Sequence, residues 1–303
     1  MKKQSYKSGF VAIIGKPNVG KSTILNGLIK EKIAAVSHKP NTTRNRILGI
    51  YSQKNCQIIF LDTPGIHNPK NKINKFMVGE AFSVFGDADV ICLVTAAGEL
   101  PDSDTETIIK HIKNFSGSAI LVINKTDIAF REEIDKTKNA FVELFPFKTV
   151  LETSALKIKN IEKIIETIIP LLPGNQPYFP EDIITSSTER FICQEFILEK
   201  LFLLLGDELP YCSAIEITGF HEDTDMIHVS AIINVERDSQ KGMIIGKGGK
   251  MIKKIGTEAR KEMEKLLGVK VFLELNVRVQ KNWSKDDSML KKFGYSRTEE
   301  KER

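Results

Sequence analysis

The sequence predicts an α/β domain built on a doubly wound, mostly parallel sheet, followed by a smaller α+β domain. Three observations predict it. Short apolar runs alternate with amphipathic stretches through residues 10–169. Four of the eleven prolines, Pro170, Pro173, Pro177 and Pro180, then crowd into one short stretch with Gly174. Beyond them the order of elements changes to α-β-β-α-α-β. At 303 residues and 41% hydrophobic composition, the chain has material for two cores at about 150 residues each.

Phe10–Ile14 is the first expected strand, an apolar run that meets a glycine-containing turn before a helical pattern begins at Lys21. Further strands are expected at Arg46–Tyr51, Gln57–Leu61, Val90–Val94, Ala119–Ile123 and Thr149–Glu152, with a last helix through Ile169. In such a sheet, chemistry belongs at the carboxyl ends of the strands. The prolines stop the last helix and read as a semi-rigid extended linker. The expected partition is therefore a first domain over 1–172, a proline-rich linker over 173–185, a second domain over 186–281 and a polar tail over 282–303. Within the second domain, a helix at Glu189–Leu204 precedes strands at Ala214–Phe220 and Ile227–Val235. A glycine loop, helices reaching Leu267 and a strand at Lys270–Gln280 follow. The tail is charge-rich apart from Trp283, Met289, Leu290, Phe293 and Tyr295, and is expected to be at best partly docked.

The net charge of +5 is a mild average over a blocky distribution. Residues 1–50 hold ten basic side chains and one acidic, residues 181–236 hold twelve acidic, and residues 237–270 hold ten basic and four acidic. Such blocks suit a surface with distinct partners. The four cysteines, Cys56, Cys92, Cys193 and Cys212, form no CxxC pair and read as reduced, buried thiols. No apolar run approaches the ~20 residues of a membrane span, and the N-terminal stretch lacks an apolar signal core, so a cytoplasmic protein is expected. Collagenous, disulfide-rich, transmembrane and disordered classes are excluded.

Gly15-Lys16-Pro17-Asn18-Val19-Gly20-Lys21-Ser22, followed by Thr23, fits GxxxxGK[ST] between a strand and a helix. The glycines let backbone N–H groups wrap an anion, Lys21 can neutralise β- and γ-phosphate charge, and the Ser22 hydroxyl can ligate Mg²⁺. Asp62-Thr63-Pro64-Gly65 closes the run Gln57–Leu61, setting a carboxylate where it can hold Mg²⁺ through water and the Gly65 N–H where it can meet the γ-phosphate. Asn124-Lys125-Thr126-Asp127 closes the run Ala119–Ile123. A carboxylate at Asp127 can accept from guanine N1–H and N2–H₂, donors that adenine lacks, which is worth roughly 10³–10⁵ in discrimination. Thr153-Ser154-Ala155, followed by Leu156, can add a backbone N–H to guanine O6.

These four elements in this order resemble the translation-factor-like branch of P-loop GTPases over residues 8–172, which implies GTP and GDP as ligands. The resemblance implies a switch threonine in Asn41-Thr42-Thr43-Arg44 that ligates Mg²⁺ when the γ-phosphate is present, Thr43 being preferred and Thr42 the alternative. Where Ras-type relatives carry a water-positioning glutamine, Ile66 stands, and an apolar side chain cannot polarise water. Asn18 occupies a position that accompanies the use of K⁺ in place of an arginine finger in some relatives, making K⁺ a candidate cofactor.

Met243-Ile244-Ile245-Gly246-Lys247-Gly248-Gly249-Lys250-Met251-Ile252 carries IIGxxGxxI in the second domain and resembles a type II KH domain, a module that binds single-stranded nucleic acid. Its GxxG loop lets phosphates approach backbone N–H groups. Lys241, Lys247, Lys250, Lys253 and Lys254 surround the loop with no acidic residue among residues 241–254, and Ile245 is a candidate groove residue. The acidic block 181–236 reads either as a solvated face or as a surface that meets the basic stretch 39–46.

A single GTPase domain, a proline-rich linker, a KH domain and a tail with Asn282-Trp283, Asp286-Asp287 and Gly294-Tyr295 resemble the Era family of bacterial GTPases over essentially the whole chain. The resemblance implies a factor that binds the 3′ end of small-subunit ribosomal RNA, acts with the 30S subunit in its maturation, and associates peripherally with the inner membrane; a monomer is expected. A competing reading is a signalling GTPase whose basic C-terminal face binds anionic lipid.

Overall fold

Strand β1 (Lys7–Ile14) hydrogen-bonds on one side to β3 (Cys56–Asp62) and on the other to β4 (Val90–Ala96), both parallel to it. In the computed structural model, which describes residues 6–206 and 208–295, helix α1 (Lys21–Ile29) follows β1. Strand β2 (Ile47–Gln53) joins β3 through a two-residue turn, which forces that pair to be antiparallel. Helix α2 (Lys72–Ser83), β4, helix α3 (Ser103–Lys113), β5 (Ser118–Asn124), helix α4 (Arg131–Leu144), β6 (Val150–Glu152) and helix α5 (Ile161–Ile168) complete the alternation. The sheet order is β2-β3-β1-β4-β5-β6. β3 and β4 are buried along their whole length, as strands covered on both faces must be.

The remaining elements are α6 (Glu189–Leu204), β7 (Ala214–Glu222), β8 (Met226–Val235), α7 (Asp238–Ile245), α8 (Lys250–Leu267), β9 (Lys270–Val279) and α9 (Asp287–Lys292). β8 pairs antiparallel with β7 and parallel with β9. Ile227, Val229, Ala231, Ile233 and Val235 alternate inward from β8 and pack with Phe196, Leu201, Ile255, Ala259 and Met263 of the helices, while His228, Ser230 and Glu274 share the other face with Met226, Ile232 and Phe272.

Two compact units result. Unit 1 comprises Met1–Ala34, Thr43–Pro69 and Met77–Ser186; unit 2 comprises Ala35–Thr42, Lys70–Phe76 and Ser187–Arg303. Residues 173–185, expected as an extended linker, run along unit 1. Ser8 N–H donates to Pro173 O and Ser8 Oγ to Gln176 O. The buried Gln57 amide accepts from the Tyr178 and Phe179 N–H groups and donates to Phe179 O, and Ile50 N–H donates to Ile184 O. Proline removes donors but leaves these carbonyls free to accept, so the segment behaves as a strap.

The described part of the expected tail, residues 282–295, is docked; residues 296–303 lie outside the described residues. Trp283 is fully buried, donates Nε1–H to Cys212 O at 3.1 Å and meets the Phe293 ring edge-on at 5.4 Å, while Leu290 and Tyr295 are also buried. The apolar residues scattered through a polar tail are its docking side. Trp283→Ala is expected to cost unit 2 about 3–5 kcal/mol in chemical denaturation; a loss under about 1 kcal/mol would mean the tail contributes little.

Candidate nucleotide and nucleic-acid sites

The turn between β1 and α1 closes on its own lysine: Lys21 Nζ donates to Gly15 O at 3.2 Å and Lys16 O at 2.8 Å. Gly20, at φ +99°, passes so close to Asn124 that an added Cβ would lie 2.2 Å from its Nδ2. Asn124 donates to Val19 O and accepts from the Ala155 N–H, both at 2.9 Å, tying the phosphate loop to the Ser154-Ala155 turn. Lys16 pairs with Asp102 at 2.7 Å, and Asp102 also caps α3. Asn18 sits exposed at φ +65° at the loop tip, Val19 is buried, and Thr23 lies half-buried in the first turn of α1.

Asp62 ends β3 with its carboxylate turned to α1. Ser22 Oγ donates to Asp62 Oδ2 at 2.6 Å and lies 2.8 Å from Thr43 Oγ1, so the three expected metal ligands meet at one point. Thr42 does not join them, because its hydroxyl bonds Ser37 Oγ at 2.6 Å and Lys39 O at 3.0 Å. Asp62 Oδ1 is buried with no hydrogen-bond partner among the described residues. Burial pushes the Asp62 carboxyl up to about 6, against the pull of Ser22 and Lys21, and pushes the Lys21 ammonium down to about 8. An all-oxygen set with an unpaired buried carboxylate oxygen fits Mg²⁺, a hard cation.

Two expected contacts look inward. The Thr63 hydroxyl is spent on Ile13 O, and Ile66 is 2% exposed in the core, leaving only its backbone near the loop, where its N–H donates to Gly15 O at 3.0 Å. Pro64 is buried, and Gly65 lies against Pro17. At the base end, Asp127 Oδ1 accepts from Ser154 Oγ at 2.6 Å, Thr126 Oγ1 donates to Thr153 O, Lys125 adopts φ +62° and Leu156 is 75% exposed.

In unit 2 the glycine loop joins α7 to α8. Gly246, Gly248 and Gly249 all have positive φ, and no heavy atom lies within 4 Å of a Cβ built on Gly248 or Gly249, so that backbone stands open. Lys247, Lys250, Lys253 and Lys254 are exposed and Lys241 half-buried. Ile244 and Ile255 are core residues, whereas Ile245 and Ile252 remain partly exposed. A cavity of about 270 Å³ runs from Ile252 and Lys253 past Gly256 and Arg260 to Phe272 and Leu275 of β9. Sequence reasoning missed Arg260 and Phe272 because their signal is pairing across helix and strand rather than spacing. It also missed Asp102, although an acidic residue before a helix is a capping signature.

The family described as "50S ribosome-binding GTPase" matches residues 10–125, and that described as "KH domain" matches residues 208–284. GTPase Era of Geotalea daltonii is 48% identical over 97% of this chain and 100% of its own length, and GTPase Era of Syntrophus aciditrophicus is 45% identical over 96% of each. Among solved structures, Era in complex with MgGDPNP and nucleotides 1506–1542 of 16S ribosomal RNA is 38% identical, with a TM-score of 0.91 over 96% of this chain and 99% of that one. A variant of Aquifex aeolicus Era bound to GDP·AlF₄⁻ matches with the same values. With a GTPase domain and a KH domain in one chain, and full-length relatives at 45–48% identity, the chain belongs to the Era family of GTPases.

Proposed function

We propose that this GTPase binds the single-stranded 3′ end of 16S ribosomal RNA in its GTP form and acts in biogenesis of the small (30S) ribosomal subunit. The observation that carries the reading is the open glycine loop with five lysines within residues 241–254, four of them exposed, in a chain 38% identical to an Era solved on a 16S fragment. Lys241, Ile245, Gly246, Lys247, Gly248, Gly249, Lys250, Lys253 and Lys254 take the RNA, with phosphates against the loop backbone.

In the nucleotide site, Lys21 neutralises phosphate charge, the Gly15–Thr23 backbone wraps the phosphates, and Asp127 selects guanine. Ser22, Thr43 and Asp62 hold Mg²⁺, which supplies charge neutralisation at the transferring phosphate. The Thr43 hydroxyl at Ser22 supports Thr43 over Thr42 as the residue that reports the γ-phosphate. GTP orders segments 38–46 and 62–80, and hydrolysis releases them. With Ile66 in the core, the water-orienting device lies elsewhere, and a K⁺ ion near Asn18 is our candidate. Hydrolysis is then expected to run faster in K⁺ than in Na⁺ buffer, and equal rates would remove K⁺ from the account.

The test of RNA binding is its salt dependence. Four or five neutralised phosphates predict a log–log slope of roughly −3 for a single strand. A slope near zero, or binding to anionic vesicles in preference to RNA, would favour the lipid reading instead.

A further inference from the structure

The acidic stretch 181–236 has no role in the sites above, yet one of its carboxylates bonds the backbone of the segment that leads into Thr43. Glu199 of α6 is 1% exposed. Its Oε1 accepts from Lys200 Nζ at 2.8 Å, and its Oε2 accepts from the Val36 N–H at 3.1 Å. Lys200 also donates to Glu262 Oε1 at 3.1 Å, so the buried charge is compensated inside unit 2. Two further bonds hold the same segment: Lys39 Nζ donates to Leu205 O at 2.6 Å, and the Tyr211 hydroxyl donates to Pro40 O at 2.9 Å.

All these partners belong to unit 2, which takes in Ala35–Thr42, while the next residue, Thr43, belongs to unit 1. Between Pro40 and Thr43 lie only Asn41 and Thr42, a turn with Asn41 at φ +60° and the Thr42 hydroxyl bonded back to Lys39 O. Two residues span at most about 7 Å, and this turn is closed by its own bond, so little slack separates the anchors from Thr43. Within unit 1, Thr43 Oγ1 lies 2.8 Å from Ser22 Oγ.

We propose that Glu199, Lys39 and Tyr211 form a latch through which the RNA-binding unit presets Thr43 for GTP, making Glu199 and Tyr211 positioning residues for the GTPase reaction. The inference rests on the reading of Thr43 as the Mg²⁺-ligating switch residue. Coupling of this kind is reciprocal, so whatever the RNA-binding unit contributes to GTP affinity, GTP returns to that unit.

The test uses the full-length protein and measures affinity for GDPNP and for GDP in Mg²⁺, with kcat and KM for GTP. Tyr211→Phe removes one hydroxyl and keeps the ring edge-on to Phe202 at 5.2 Å, so the fold is retained. It is expected to weaken GDPNP binding about three- to tenfold, with GDP binding changed less than about twofold and kcat lowered. Glu199→Gln, which keeps an acceptor for Val36 N–H without the charge, is expected to move the same ratio in the same direction. In a Thr43→Ala background, Tyr211→Phe should have no further effect on that ratio, which a merely structural role would not predict. If Thr43→Ala removes the preference for GDPNP while Tyr211→Phe and Glu199→Gln leave it intact, the latch is overturned and the assignment of Thr43 stands. If Thr43→Ala changes nothing, both fall together.

Discussion

Asp127→Asn is expected to lower the affinity for GTP by about 10³-fold, equivalent to about 4 kcal/mol, and to create affinity for xanthosine triphosphate. The Asp127 carboxylate is acceptor-only, held at one oxygen by Ser154 Oγ at 2.6 Å, and guanine presents two N–H donors to such a group. An amide at that position keeps one oxygen for N1–H but turns its NH₂ toward the exocyclic amine, so one base bond fails and a donor faces a donor. Xanthine carries a carbonyl where guanine carries the exocyclic amine, and that carbonyl can accept from the new amide. Asp127 is exposed, so unfolding free energy should move by less than about 0.5 kcal/mol. Competition binding with the two nucleotides checks the exchange, and unchanged GTP affinity would mean that the base is selected elsewhere.

Gly248→Asp is expected to weaken RNA binding about 100-fold while leaving GTP binding nearly unchanged and costing unit 2 only about 1 kcal/mol. Gly248 sits at φ +61° with no heavy atom within 4 Å of a built Cβ, and aspartate tolerates the left-handed region better than most residues. The fold therefore bears about 1 kcal/mol of strain, while a carboxylate enters the space where phosphate would approach. Gly246→Ala is the contrasting variant. Its Cβ would lie 2.7 Å from Met251 Cβ, so it perturbs the α7–α8 junction itself and loses RNA binding through stability. Filter binding with thermal unfolding separates the two routes, and retention of RNA affinity by Gly248→Asp would place the nucleic acid outside this loop.

Elements whose chemistry demands particular residue types at particular strand ends were legible in the sequence. Gly15–Ser22, Asp62 and Asn124–Asp127 lie at the ends of β1, β3 and β5, where apolar runs terminate. The α-β-β-α-α-β order of unit 2 was legible for the same reason, because periodicity changes at every boundary. What escaped was decided by tertiary pairing. Trp283 stood out with Met289, Leu290, Phe293 and Tyr295 as apolar in a charged tail, but its partner Cys212 O is remote in sequence and its burial was not legible. The proline stretch looked like a semi-rigid linker because its backbone N–H and carbonyl groups, rather than its side chains, bond Gln57 and Ser8. Glu199 looked like one acid among twelve, and nothing local distinguishes it from a solvated neighbour. Thr43 and Thr42 were equivalent by type and differ only in where their hydroxyls bond.

The central claim, that the state of the nucleotide site governs RNA binding by the KH unit, is tested most directly by one equilibrium measurement. The affinity of the full-length chain for a single-stranded RNA carrying the 3′ end of 16S ribosomal RNA is determined in Mg²⁺ at one fixed salt concentration, with GDPNP and with GDP. The account predicts binding about tenfold or more tighter with GDPNP; equal affinities with the two nucleotides would contradict it.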